Sequence, residues 1–269
     1  MADMPVLPPG TPLVDIHNTF GAIFIGCLAS MTLLGMTLMQ AWFYYQHFPE
    51  DPLWLKLVVV GTCVTEFLRS TFTANTVYYY LVQNWGNPNG LPVIVWSFST
   101  IVLMTNLGEL FGHFYFAWRI YMLSPRGKLR YTLSGLVVFF TLWNFGMGVS
   151  NYVALARASS LTAYAGGSQV VLAPLALATA ISTDVSIAAS LIFVLNRSRT
   201  GFSKTNRLIN TLIFYSVQVG AITVVADAVC IGTNLSTTRR FSSIISVYMP
   251  LSEIYMRTLY WPASTPEVQ

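Results

Sequence analysis

Seven apolar blocks govern what this chain can fold into. They cover about 20–44, 54–81, 93–122, 131–152, 170–195, 208–231 and 241–261. Each meets or exceeds the roughly 20 residues that cross a hydrocarbon core of ~30 Å as a helix. Inside hydrocarbon every backbone N–H and C=O needs a partner in its own segment, which selects helices. The ten-residue alternation of a barrel strand is not present. The expected fold is therefore all-α: a polytopic membrane helical bundle of seven transmembrane helices over 20–261. Residues 1–19 read as a Pro-rich extracellular tail, with Pro5, Pro8, Pro9 and Pro12, and 262–269 as a short cytoplasmic tail.

Composition agrees. Charged residues are 9% of the 269, against roughly 25% in soluble domains. Mean hydropathy is +0.59. So few charges cannot cover a water-facing surface, which argues against a soluble enzyme. The net charge of +4 does not point to nucleic acid, because the cations sit at block ends. Cys27, Cys63 and Cys230 fall in or beside apolar blocks, an odd set that makes no disulfide framework. The N-terminal stretch lacks the basic start of a cleavable leader, so the first block is expected to remain as an anchor.

Lys and Arg set the expected sidedness. Lys56, then Arg126, Lys128 and Arg130, then Arg197, Arg199, Lys204 and Arg207 fall in odd-numbered loops. Arg157, Arg239 and Arg240 fall in even-numbered ones. The richer side is cytoplasmic, which places the N-terminus outside and the C-terminus inside. These basic loops are also where anionic lipid or a cytosolic partner would touch. The sequon at Asn234 then faces the exterior, as glycosylation requires, whereas the one at Asn196 does not. Aromatic runs at Trp42–Tyr45 and Tyr78–Tyr80 read as interface belts.

Ionisable residues within the blocks are the candidate site, because such groups are costly in lipid and turn toward a bundle interior. Block two carries Glu66 and Arg69 at i, i+3. Block three carries Asn106, Glu109 and His113. Block five places Asp184 among Ala176, Ala180 and Ala188. Block six adds Asp227, and block seven Glu253 and Arg257 at i, i+4. At about 1.5 Å per residue, Glu66, Glu109, Asp184 and Glu253 lie roughly 18–24 Å into their spans, near the midplane. Four carboxylates face two deep arginines. Either a carboxyl is protonated, or the bundle binds a cation or a small basic ligand. Simple structural pairing is the competing explanation for each of these residues.

Catalytic signatures are not evident. There is no Gly-x-Ser-x-Gly elbow, no His-Glu-x-x-His and no phosphate-cradling loop. Gly201–Thr205 departs from that loop at Ser203, which stands where Gly would precede the Lys. His17, His47 and His113 are scattered, and one His with one Glu is too few ligands for zinc or iron. No enzyme, cofactor or metal is expected. Block seven has no Lys for a retinal Schiff base.

Four stretches carry a family resemblance: Gln40–Asp51 followed by Lys56, Tyr80–Pro88, Phe116–Ile120 with Leu123 and Ser124, and the run from Asp184 through Arg199–Thr205. Together they resemble fungal seven-helix membrane proteins with a C-terminal domain of unknown function 6534 (DUF6534), here about 175–261. The resemblance implies a multipass membrane protein and no particular activity. The chain departs from the family pattern at Tyr248–Glu253, where members tend to read Tyr-x-Asn-Ser-Leu-Leu.

Three functions fit these residues: a receptor-like sensor with a polar intramembrane cavity, a small-solute or proton-coupled transporter, and a structural membrane subunit. Block three ends in Ala117-Trp118-Arg119-Ile120 rather than Asp-Arg-Tyr, so the main receptor class is disfavoured. No internal repeat supports an inverted-repeat transporter. The plasma membrane or another secretory-pathway membrane is the expected location.

Overall fold

The computed structural model describes residues 22–84, 87, 90, 93–124, 127–158, 160, 163–164 and 169–197. Among them are five long helices and no strand: α1 (Ala22–His47), α2 (Leu53–Tyr78), α3 (Trp96–Leu123), α4 (Lys128–Arg157) and α5 (Gln169–Arg197). Blocks one to five of the sequence coincide with them. Blocks six and seven lie outside the described residues.

Local chemistry sets the helix ends. Pro52 holds extended backbone and begins α2. At its far end α2 widens into a π-helical turn, Tyr79–Gln83, closed by Asn84 N–H to the Tyr79 carbonyl at 3.0 Å. Two successive turns follow, Asn87 N–H to Asn84 and Gly90 N–H to Asn87, where the Asn/Gly-rich sequence predicts them. Pro174 sits inside α5, an interruption that membrane helices tolerate.

Among the described residues, four stretches are long and apolar enough to cross a bilayer by length and composition: Phe24–His47, Leu53–Gln83, Lys128–Arg157 and Pro174–Arg197. The 28-residue α3 is long enough but is not among them, because Ser97, Ser99, Thr105, Asn106, Glu109 and His113 interrupt its apolar run. Its position explains the difference. It packs against α2, α4 and α5, so its polar face meets protein.

The bundle is apolar outside and polar within. Phe24, Ile25, Leu28, Met39, Leu57, Phe67, Phe139, Trp143, Val185 and Phe193 are exposed. Ser30, Thr37, Thr62, Glu66, Arg69, Thr73, Thr105, His113, Thr141, Asn144, Thr183 and Asp184 are buried. Water would favour the reverse, whereas lipid favours this arrangement. Several helix hydroxyls satisfy themselves: those of Thr37, Thr62, Thr105 and Thr141 each donate to the carbonyl four residues back.

The interior is layered. At the end carrying Lys56, Lys128 and Arg197, an apolar plug joins all five helices through Tyr44, Val59, Phe116, Ile120, Val137, Leu191 and Leu195. Beyond it toward the opposite end, the interior turns polar. Among the described Lys and Arg residues, Lys56, Arg119, Lys128, Arg130 and Arg197 occupy the plug end of their helices, Arg157 the opposite end, and Arg69 the interior of α2.

Candidate functional site

Among the described residues, three contact groups hold the ionisable side chains of the polar interior. The first lies on α2 and α1. Three residues along a helix bring side chains to one face, and Arg69 Nη2 sits 2.8 Å from Glu66 Oε2, with Nε donating to the same oxygen at 2.9 Å. Both side chains are 1% exposed. Arg69 Nη2 also reaches Ser30 Oγ on α1 at 3.3 Å. Two opposite charges taken out of water compensate each other, so the pair is electrically neutral and joins two helices.

The second group crosses α3, α4 and α5. Asn144 Nδ2 donates to Glu109 Oε2 at 3.4 Å, and Asn144 Oδ1 accepts from Thr179 Oγ1 at 3.3 Å. Close helix approach makes this possible: a Cβ on Gly148 of α4 would collide with the Asn106 carboxamide of α3. Asn106 is itself held by donation to the Val102 carbonyl at 2.7 Å.

The third group is His113 Nε2 on α3 with Asp184 Oδ1 on α5, 3.4 Å apart and both buried. Next to Asp184, Thr183 Oγ1 donates to the Phe140 carbonyl of α4 at 3.3 Å.

These contacts fix relative heights. Gly61 beside Phe111, with Thr76 bonded to Ser97, puts Glu66 level with Asn106. Glu109, Asn144 and Thr179 share the next level, and His113 and Asp184 the one nearest the plug. At 1.5 Å per residue the span from Glu66 to Asp184 is about 10 Å. The acidic groups of three helices thus converge at neighbouring depths.

The Glu109–Asn144–Thr179 chain has two self-consistent hydrogen-bond arrangements. With Glu109 ionised, the Asn144 amide donates to it and the Thr179 hydroxyl donates to Asn144. Thr179 also lies 2.7 Å from the Ala176 carbonyl, and one hydroxyl proton cannot serve both acceptors fully. With Glu109 protonated, its O–H donates to Asn144 oxygen, the amide turns over to donate to Thr179, and Thr179 donates to Ala176. The Glu109–Asn144–Thr179 chain thus links α3, α4 and α5.

Sequence spacing finds the Glu66–Arg69 pair outright. It puts Glu109 and His113 one turn apart on a single face, and the structure adds a different neighbour for each: Asn144 for Glu109, Asp184 for His113. Ser30, Asn144 and Thr179 were not singled out by sequence. A neutral polar residue in an apolar block is too common to stand out. Asp227, Glu253, Arg257 and Asn234 lie outside the described residues. So do Arg126, Arg199, Lys204 and Arg207, while Lys128, Arg130 and Arg197 occupy one end of the bundle. Among the described residues no three His, Cys, Asp or Glu gather as a metal would require.

A family model described as a family of unknown function (DUF6534) matches residues 180–261. The matched region contains Asp184 and the end of α5. His113, Glu109 and Glu66 precede it, so the His113–Asp184 contact ties the matched region to the helices before it. No curated protein and no solved structure matches the chain.

Proposed function

We propose that this is a non-enzymatic, receptor-like membrane sensor of seven spans, with its N-terminus outside. A small cation or basic ligand is recognised by the polar interior, and a cytosolic partner reads the basic end. The observation that carries the reading is the layering. Buried Glu66 on α2 and Asp184 on α5, with half-buried Glu109 on α3, lie above an apolar plug that joins all five described helices. A polar interior closed toward one side suits recognition followed by helix rearrangement. Continuous passage of a solute would need the plug to open. Neutralising Glu109 supplies the rearrangement, because the Asn144 amide then exchanges partners between α3 and α5.

The test uses purified protein in nanodiscs. Thermal midpoints are followed across pH 5–8 and against sodium, potassium and a panel of small primary and quaternary amines. The reading expects at least one condition to shift the wild type by several degrees and to lose that effect in Glu109→Gln or Asp184→Asn. Equal responses in all three proteins would overturn it. Transport is the second reading, favoured by the similar depths of Glu66, Glu109 and Asp184. Proton flux in proteoliposomes that vanishes in Glu109→Gln would select it instead.

A further inference from the structure

We propose that the end of α3 and the start of α4 together form a binding site for the phosphate of an anionic membrane lipid. The site comprises Ser124, the N-terminus of α4, Lys128 and Arg130. It is independent of the sensor reading.

Among the described residues no carboxylate pairs with Arg130. Its guanidinium carbon lies 3.6 Å from the centroid of the Tyr121 ring, and Nη2 lies 3.7 Å from the Met122 sulfur. A π face and a thioether orient the fork without neutralising it. Nε is buried with no partner. Ser124 is only 5% exposed, and its hydroxyl is likewise unpartnered. Among the described residues five buried side-chain polar atoms lack a partner, and this one turn holds two of them.

The helix itself lacks the group its start calls for. Gly127 caps α4 at φ +146°, a backbone region open to glycine, and offers no side chain to the free amides. The first turn contains no acidic residue. It contains Lys128 and Arg130, cations at the positive end of the helix dipole, where each is unfavourable by itself. A bound anion removes the conflict. Amides, a hydroxyl, an ammonium and a planar guanidinium together match a phosphate. The turn joins two membrane-depth helices at the basic end of the bundle, where headgroup phosphates lie. Exposed Tyr131 and Met122 border it and would meet the acyl boundary and the headgroup zone. The occupant is therefore a lipid rather than free phosphate.

The test is native mass spectrometry of the full chain, released from micelles doped with phosphatidic acid, phosphatidylinositol or phosphatidylcholine. Wild type should retain the anionic lipids over phosphatidylcholine. Arg130→Gln and Tyr121→Leu should each lower retention about fivefold, and Ser124→Ala by a smaller factor. Arg197→Gln removes the same charge from the same end and should change retention less than twofold. Gel filtration and thermal midpoints in phosphatidylcholine verify that each variant is folded. If Arg130→Gln misfolds, Tyr121→Leu and Ser124→Ala decide the matter. Equal losses in Arg130→Gln and Arg197→Gln would reduce the effect to general surface charge and overturn the site. Displacement of the lipid by millimolar inorganic phosphate would assign the site to a free anion and overturn the lipid as occupant. Equal retention of phosphatidylcholine would overturn both.

Discussion

His113 of α3 and Asp184 of α5 meet 3.4 Å apart inside the bundle, and α4 packs against both of their helices. The contact couples helices that are not adjacent in sequence. Replacing either residue with Ala should lower stability, and the double variant should lose less than the sum. A coupling of about 0.5–2 kcal/mol is expected from membrane and soluble cycles. Reversible unfolding of the two single variants and the double variant in mixed micelles measures it. Full additivity would mean that the two side chains do not interact.

The Glu66–Arg69 pair makes a sharper prediction. Removing one partner strands a charge in the interior, so Glu66→Leu or Arg69→Met should cost about 3–5 kcal/mol. Removing both leaves no charge behind, and the double variant should regain most of the loss. The same unfolding assay reports it. A double variant as unstable as the worse single one would contradict the account of a neutral, self-compensating pair.

Gly148 and Gly146 provide a matched comparison on α4. A methyl at position 148 meets the Asn106 carboxamide, whereas at 146 it meets open space. Gly148→Ala should destabilise by about 1–3 kcal/mol, while Gly146→Ala should be neutral or slightly stabilising. Thermal midpoints of the two variants distinguish them, and a reversed order would refute the α3–α4 register.

Tyr164 lies in the connection after α4, where its hydroxyl donates to Asn151 Oδ1. Burial raises its pKa above the ordinary 10.0. The protonated form is therefore favoured more strongly in the folded state. Its contribution is fully present below about pH 10 and is lost as pH rises from there through the folded value. The midpoint difference between wild type and Tyr164→Phe should shrink between pH 9 and pH 11. A difference that stays constant would show that this hydroxyl is not linked to folding.

Much of the described architecture was legible because lipid imposes a strong local pattern. The block at 131–152 became Lys128–Arg157 and that at 20–44 became Ala22–His47, so the errors are at the ends. There Lys, Arg, Tyr and His extend the helix through the interface, and hydropathy no longer marks the boundary. The Glu66–Arg69 pair was legible because its geometry lies within one helical turn. His113–Asp184 and Glu109–Asn144 were not. Their partners are set by helix register and close approach, and the glycine responsible, Gly148, carries no charge signal. Block three also reads as one span among seven, whereas α3 lies between α2, α4 and α5, which accommodates its polar side chains.

The most direct test is accessibility across the bundle wall. Single spin-labelled cysteines are placed at exposed Phe67, Phe139 and Val185, and at buried Thr62, Thr105 and Thr141, in nanodisc-embedded protein lacking its native cysteines. The account predicts that dissolved oxygen, concentrated in the acyl region, strongly relaxes labels at 67, 139 and 185. Labels at 62, 105 and 141 should be immobile and protected. Strong oxygen contact at 62, 105 and 141, with protection at the other three, would place the polar face against lipid and contradict the account.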